Sequence, residues 1–293
     1  MFNQILGFGS NPAISVSNSA IWVPSRNNWL QNLDVAGISL RGNLAAATDV
    51  PGYAPFFGGS VSSQALGVSD AVGLTQSSNS LNLQQVPVRI QAQTSSTSSL
   101  QRRAFTTQNV TGAVTGMMYG FNDLNITILG GRFTATATDG STINNLLFVN
   151  GSNSARVTGL GNELNADSTF LALGTQGTTL FAGGSISGTA GGNDVTGLLT
   201  FDLVAGNYTR SQPEGLVGNA VAVNAIAPQP NTQAVFIGGN FESAGEFDCP
   251  TLCVFDTTRS QWISPGAGLE GVISAMTWVD DTHLLIAGNL TAN

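Results

Sequence analysis

Lysine is missing from this chain: its 293 residues hold nine cationic side chains, all arginine, with one histidine and two cysteines. Charged residues make up 9%, against about a quarter in an ordinary soluble domain. No basic run exceeds Arg102-Arg103, and the net charge is −8 with a pI near 4.3. A nucleic-acid groove needs clustered cations to neutralise phosphates, so no nucleic-acid partner is expected. An anionic membrane surface is set aside for the same reason. No apolar run approaches the ~18 residues of a membrane-spanning helix. The opening MFNQILGFGS lacks the cationic start and long apolar stretch of a secretory leader.

The same scarcity narrows the chemistry. His283 is the only histidine, and three tyrosines are present (Tyr53, Tyr119, Tyr208). A copper-radical oxidase needs two His and paired Tyr, and is excluded. A Ser-His-Asp hydrolase would rest on His283 alone, which falls in DDTH and reads as an exposed turn residue. Arg132, Arg156, Arg210 and Arg259 read as scattered surface cations and not as a sialidase-type cluster. Glu242, Glu246 and Asp248 lie in ESAGEFD without the Asp-x-Asp-x spacing of a calcium loop. No catalytic residue, metal ligand or cofactor is expected. Cys249 and Cys253 form CPTLC. A turn could bring them within disulfide reach, or they are free thiols. The two further ligands of a closed zinc site are absent.

What the chain does have is Gly, Ser, Thr and Asn in quantity (36, 28, 29 and 26) around an apolar fraction of 42%. That is ample for a core and unlike a disordered composition. The apolar residues follow a repeat. FFGGSV, ILGGRF, LFAGGSI, VFIGGNF and LLIAGNL place a second glycine, or its equivalent, at Gly59, Gly131, Gly184, Gly239 and Gly288, with gaps of 72, 53, 55 and 49. Two further markers recur in phase. Aromatics seven apart enclose a polar turn in WVPSRNNW (Trp22, Trp29), FDLVAGNY (Phe201, Tyr208) and FDTTRSQW (Phe255, Trp262), while FVNGSNSA keeps only Phe148. Strand-like stretches such as STFLAL, NAVAVNAI and GVISAMTW precede the diglycines.

One unit thus holds about four short strands in about 50 residues, as in a propeller blade. The expected class is all-β, a β-propeller of Kelch-like four-stranded blades occupying residues 1–293 as a single domain. The glycines are expected where sheets crowd or where a strand exits with positive φ. Residues 18–33 supply the last two strands of a blade and residues 271–290 the first two. Joined, they would close a ring of five blades, or of six if LGFGS is a degenerate diglycine strand. The 72-residue gap is assigned to a Ser/Gln-rich insertion at about 73–108, with LQQVPVRIQ as an edge strand. The tryptophans Trp22, Trp29, Trp262 and Trp278 read as packing between blades before they read as a sugar platform.

Five sequons occur, at Asn109, Asn125, Asn150, Asn207 and Asn289. About five would arise by chance in this composition, so they are N-glycosylation candidates only.

Residues 235–290 carry GGNF, CPTLCVFD, the Trp262 hairpin, the GAGLEG turn and a closing AGNLT. This run resembles the Rax-type fungal bud-site-selection proteins, polarity-landmark glycoproteins of the cell surface with Kelch-like repeats. Residues 128–227 are similar more loosely. The resemblance implies a secreted, glycosylated ectodomain from a longer chain on the outer face of the plasma membrane. It also implies a Cys249–Cys253 disulfide and a membrane or cell-wall protein partner of the polarity pathway. It supplies no catalytic residue. The expected function is a non-catalytic binding and scaffold propeller. The alternatives are an adhesin or lectin-like propeller that binds cell-wall glycan, and a glycoside hydrolase-like propeller with an acidic pair in its channel.

Overall fold

A computed structural model describes residues 3–7, 9, 11–16, 20, 22–29, 41–49, 55–63, 68–77, 80–84, 88, 90–92, 112–121, 124–137, 139–151, 156–161, 163–266 and 268–292. The chain divides into two units, Met1–Gly159 and Leu160–Asn293.

The first unit opens with two short sheets. β1 (Gln4–Ile5) pairs with β2 (Ile14–Ser15), and β3 (Trp22–Val23) pairs with β4 (Asn28–Trp29) across a 3₁₀ turn at Pro24–Arg26. Sheet A follows in chain order: β5 (Arg41–Thr48), β6 (Phe56–Ser63), β7 (Val68–Ser77) and β8 (Ser80–Gln84). After β9 (Ile90–Ala92) comes sheet B: β10 (Gly112–Phe121), β11 (Leu124–Thr136), β12 (Thr142–Asn150) and β13 (Arg156–Gly159). β9 pairs with β11 at Phe133–Ala135, beyond the end of β10, and Ile90 joins Leu129, Phe133, Leu147 and Val157 in the core of this sheet.

The second unit holds sheet C, of β14 (Thr169–Gln176), β15 (Thr179–Ala190), β16 (Asn193–Asp202) and β17 (Asn207–Tyr208). β18 (Leu216–Val217) leads into sheet D, whose β19 (Ala222–Pro228) and β20 (Ala234–Asn240) are separated in sequence from its outer pair by β21 (Ser243–Ala244) and β22 (Phe247–Asp248). That outer pair is β23 (Leu252–Asp256) and β24 (Gln261–Ile263). A last hairpin joins β25 (Leu269–Trp278) to β26 (Leu284–Ala292).

Sheets A to D therefore repeat one antiparallel order, and the second strand of each carries the diglycine. The seven-step aromatics are cross-strand partners: Trp22 faces Trp29, Phe201 faces Tyr208 and Phe255 faces Trp262. Each pair meets edge to face, with ring centroids 5.1, 5.7 and 5.1 Å apart, the geometry the ring quadrupoles favour.

The registers reveal a feature the sequence did not announce. The first strand of sheets A to D and of the last hairpin holds one extra residue opposite the diglycine or its counterpart. Ala45 is looped out between Leu44↔Gly59 and Ala46↔Gly58, and Val114 between Ala113↔Gly131 and Thr115↔Gly130. Leu171, Asn224 and Ser274 do the same opposite Gly183/Gly184, Gly238/Gly239 and Ala287/Gly288. A bulge bends its strand and increases the local twist. A methyl on Gly184 would strike the Thr169 carbonyl oxygen, and one on Gly239 the Ala222 carbonyl oxygen. In sheets C and D the first glycine meets the neighbouring sheet instead. A methyl there would come 2.6 Å from Val223 Cγ1 at Gly183 and 2.8 Å from Ile273 Cγ2 at Gly238. So crowding explains the pairs. The expectation of positive φ is corrected, because Gly183, Gly184, Gly238, Gly239 and Gly288 are absent from the residues with left-handed backbone.

One other expectation changes. Residues 73–77 and 80–84, assigned to the insertion, lie in β7 and β8, the outer strands of sheet A. These strands lack an aromatic pair, so the marker that identified the other outer strands was missing. The edge strand expected in LQQVPVRIQ is present as β9, and residues 93–108 of the insertion lie outside the described residues. Within the segments expected to close the ring, β3 pairs with β4 and β25 pairs with β26. Of LGFGS, the described residues Leu6, Gly7 and Gly9 lie outside any strand.

Candidate functional site: a disulfide-braced cap on sheet D

In sheet C the second strand turns straight back into the third through Gly191 and Gly192, both at positive φ (58° and 81°). In sheet D the same connection is expanded into a cap. Phe241 turns into the core. β21 then pairs with β18 on one side and β22 on the other. Glu242 N donates to Val217 O and Gly245 N to Gly215 O, each at 2.8 Å. The chain returns through Cys249, Pro250 and Thr251.

Cys249 and Cys253 are disulfide-bonded, with Cα atoms 5.3 Å apart, and both are buried beside Phe241, Ala244 and Phe255. Between them Thr251 has φ +70°, a conformation costly for a β-branched side chain, by about 1–3 kcal/mol. It is held from several sides. Thr251 N donates to Phe241 O, its own carbonyl accepts from Gly239 N, and its Oγ1 donates to Gly271 O, all at 3.0 Å. The cap thus ties the diglycine strand to the start of the last hairpin.

The rim of the cap is acidic and partly apolar. Glu214, Glu242, Glu246 and Asp248 are exposed, as is half of Val217. Glu242 Oε1 accepts from Asn219 Nδ2 at 3.3 Å. No group of three or more His, Cys, Asp or Glu among the described residues is placed to hold a metal ion.

His283 lies in the turn between β25 and β26, exposed, with its Nδ1 2.7 Å from Asp280 Oδ2. Asp280 Oδ1 accepts from the Thr282 and His283 backbone N–H groups. These bonds, chiefly the one from Thr282 N–H, lower the Asp280 pKa to about 2. Arg259 is paired with Asp256 at 3.5 Å in its own hairpin turn. Two tryptophans pack as expected. Trp262 is buried with Nε1 donating to Glu214 O at 3.1 Å. Trp278 Nε1 donates to Ala227 O at 3.2 Å, and its ring meets Phe236 edge on, joining the last hairpin to sheet D.

The sequons occupy different settings. Asn207 and Asn289 are exposed, whereas Asn125 and Asn150 are half-buried at adjoining strand ends, where Gly151 N donates to Asn125 O at 2.8 Å. Asn109 lies outside the described residues. Sequence reasoning missed Thr251 and the five bulges. The only trace of either was the small residue type facing each bulge.

Residues 198–293 match the family model "Rax2 C-terminal beta propeller domain". Among curated proteins, the chain is 43% identical over 297 residues to Polarized growth protein L1 of a Phoma species, covering 99% of this chain and 22% of that protein. It is 33% identical over 105 residues to Polarized growth protein RAX2 of Candida albicans, covering 33% of this chain and 8% of that protein. The chain therefore spans about a fifth or less of the length of these relatives. Two solved structures, "Structure of U3-55K" and "Crystal structure of RRP9 WD40 repeats", are each 14% identical, with TM-scores of 0.36 and 0.34, and cover 58% of this chain and 48% and 47% of theirs. Those likenesses are too slight to carry any inference. The fold class is an all-β propeller, its residues 198–293 belong to the Rax2 C-terminal β-propeller family, and over 99% of its length the chain is a homologue of a polarised-growth protein.

Proposed function

We propose that the chain is a non-catalytic binding and scaffold module on the outer face of a fungal cell, within a landmark protein that marks sites of polarised growth. The observation that carries this is the 43% identity to a protein named for polarised growth over 99% of the chain. Three local features support it. The oxidised Cys249–Cys253 pair suits the secretory pathway. His283 is engaged by the turn that contains it. Asp202, Asp256 and Asp280 each accept two backbone N–H groups of their own turns, which suits supporting roles and not acid–base work. The partner is a protein of the membrane or wall, recognised through the loops and cap.

Proximity labelling with the chain displayed on growing hyphae or buds is expected to tag plasma-membrane or wall proteins at growth sites. Recovery in the cytosol with Cys249 and Cys253 reduced would overturn the surface reading. Binding on a glycan array would favour the lectin-like alternative, and cleavage of wall polysaccharide the hydrolase.

A further inference from the structure

We propose that Thr251 is a strained latch, set by the Cys249–Cys253 disulfide, that fastens one end of the last hairpin to sheet D and releases it when the disulfide is reduced. The latch meets the hairpin at two points. Thr251 Oγ1 donates to Gly271 O at 3.0 Å, and the next residue, Leu252, is buried with Ala225 and Ile273. Gly271, at φ +116°, lies so close to β26 that a methyl on it would strike the Asn289 carbonyl oxygen. Asn224 Nδ2 donates to Ile273 O at 2.8 Å and bounds this near end. The far end is held by other bonds. Trp278 Nε1 donates to Ala227 O at 3.2 Å, and Gln229 Nε2 and Asn231 Nδ2 donate to Asp281 O and Oδ2, each at 3.1 Å. None of these passes through the cap, so the near end can loosen while the far end stays docked.

Strain supplies the release. Thr251 is the middle residue of the disulfide loop, and its φ of +70° crowds a β-branched side chain. The closed loop and the bonds to Phe241 O and Gly239 N hold it there. With the disulfide open, Thr251 relaxes to negative φ, and its hydroxyl leaves Gly271. The reaction is thiol–disulfide exchange with a dithiol. One thiolate attacks Cys249 Sγ, the less buried sulfur, and the Cys253 sulfur leaves. The second thiolate then frees Cys249. The pair takes up two electrons and two protons, and the reductant becomes a disulfide. The device needs only the oxidised pair, so its fate and that of the surface reading are separate.

The test is hydrogen exchange of the full chain, read by mass spectrometry, oxidised and then reduced with dithiothreitol. On reduction Leu269–Val272 and their partners Asn289–Ala292 should exchange about tenfold faster, the loss of one or two hydrogen bonds. Trp278 and Leu284 should stay as protected as before. Thr251→Gly accepts positive φ and so folds, but lacks the hydroxyl. Its near end should exchange fast in both states, with reduction adding less than about twofold. Thr251→Ser keeps the hydroxyl and should respond as the native chain does. Reduction that speeds the cap alone, both hairpin ends together, or Thr251→Gly as much as the native chain would overturn the latch. So would a disulfide that dithiothreitol opens only after the whole chain unfolds.

Discussion

Sheets C and D share strand order, bulge, diglycine and aromatic hairpin, yet differ where the second strand meets the third. Sheet C closes that connection with two glycines, while sheet D opens it into a cap held by a disulfide. The bulge and diglycine are the fixed frame, where neighbouring sheets touch. The connection beyond them differs between the two sheets, and in sheet D it reaches both β18 and the start of the last hairpin. This is the usual division between a rigid scaffold and the loops that carry recognition.

That comparison can be broken in steps. Phe181 of sheet C is buried and meets Phe255 of sheet D at 6.0 Å, whereas its counterpart Phe236 is only half-buried. Phe181→Ala should cost about 4 kcal/mol in denaturant unfolding and Phe236→Ala about half of that. Replacing Cys249 and Cys253 together by Ala should cost about 2 kcal/mol, the entropy of so short a loop. It should also accelerate amide exchange in the cap while leaving sheet C as protected as before.

The outer aromatics make a finer contrast. Trp262 Nε1 has its acceptor, so Trp262→Phe should lose about 1 kcal/mol beyond the change in ring size. The Tyr208 hydroxyl is buried without a partner. Burial, with Glu163 nearby, pushes its pKa to about 12. Tyr208→Phe should therefore be neutral or stabilising by up to about 1 kcal/mol, and spectrophotometric titration should lose the phenolate that forms at about pH 12.

The smallest effect belongs to the last hairpin. Asp280, held at about 2, is more acidic folded than unfolded. Its contribution to stability is present above the ordinary carboxylate range and is lost as pH falls through about 2. Asp280→Asn should flatten that part of the acid-unfolding curve and change little at neutral pH.

Much of this architecture was legible because its markers are contacts between residues close in sequence. FDLVAGNY and FDTTRSQW announce a hairpin through two aromatics that face each other and an aspartate that caps the turn. The bulges were hidden because they exist only relative to a partner strand. Nothing in Leu171, Asn224 or Ser274 sets them apart as residue types. Sheet A's outer strands were read as insertion because VSDAVGLTQS and SLNLQ lack the aromatic pair. At the site, CPTLC alone left a disulfide and free thiols open, and the family resemblance supplied the pairing. The left-handed Thr251 could not be foreseen, since its strain is tolerated only through the cap's own hydrogen bonds.

The central claim is that the diglycines are packing points of a repeated sheet and not ordinary glycines of a glycine-rich chain. Equilibrium unfolding of Gly184→Ala, Gly239→Ala and Gly288→Ala tests it against Gly161→Ala, where an added methyl meets nothing within 4 Å. Losses of about 3 kcal/mol at each of the three, with less than about 0.5 kcal/mol at Gly161, are predicted. Equal and small losses at all four positions would contradict the account.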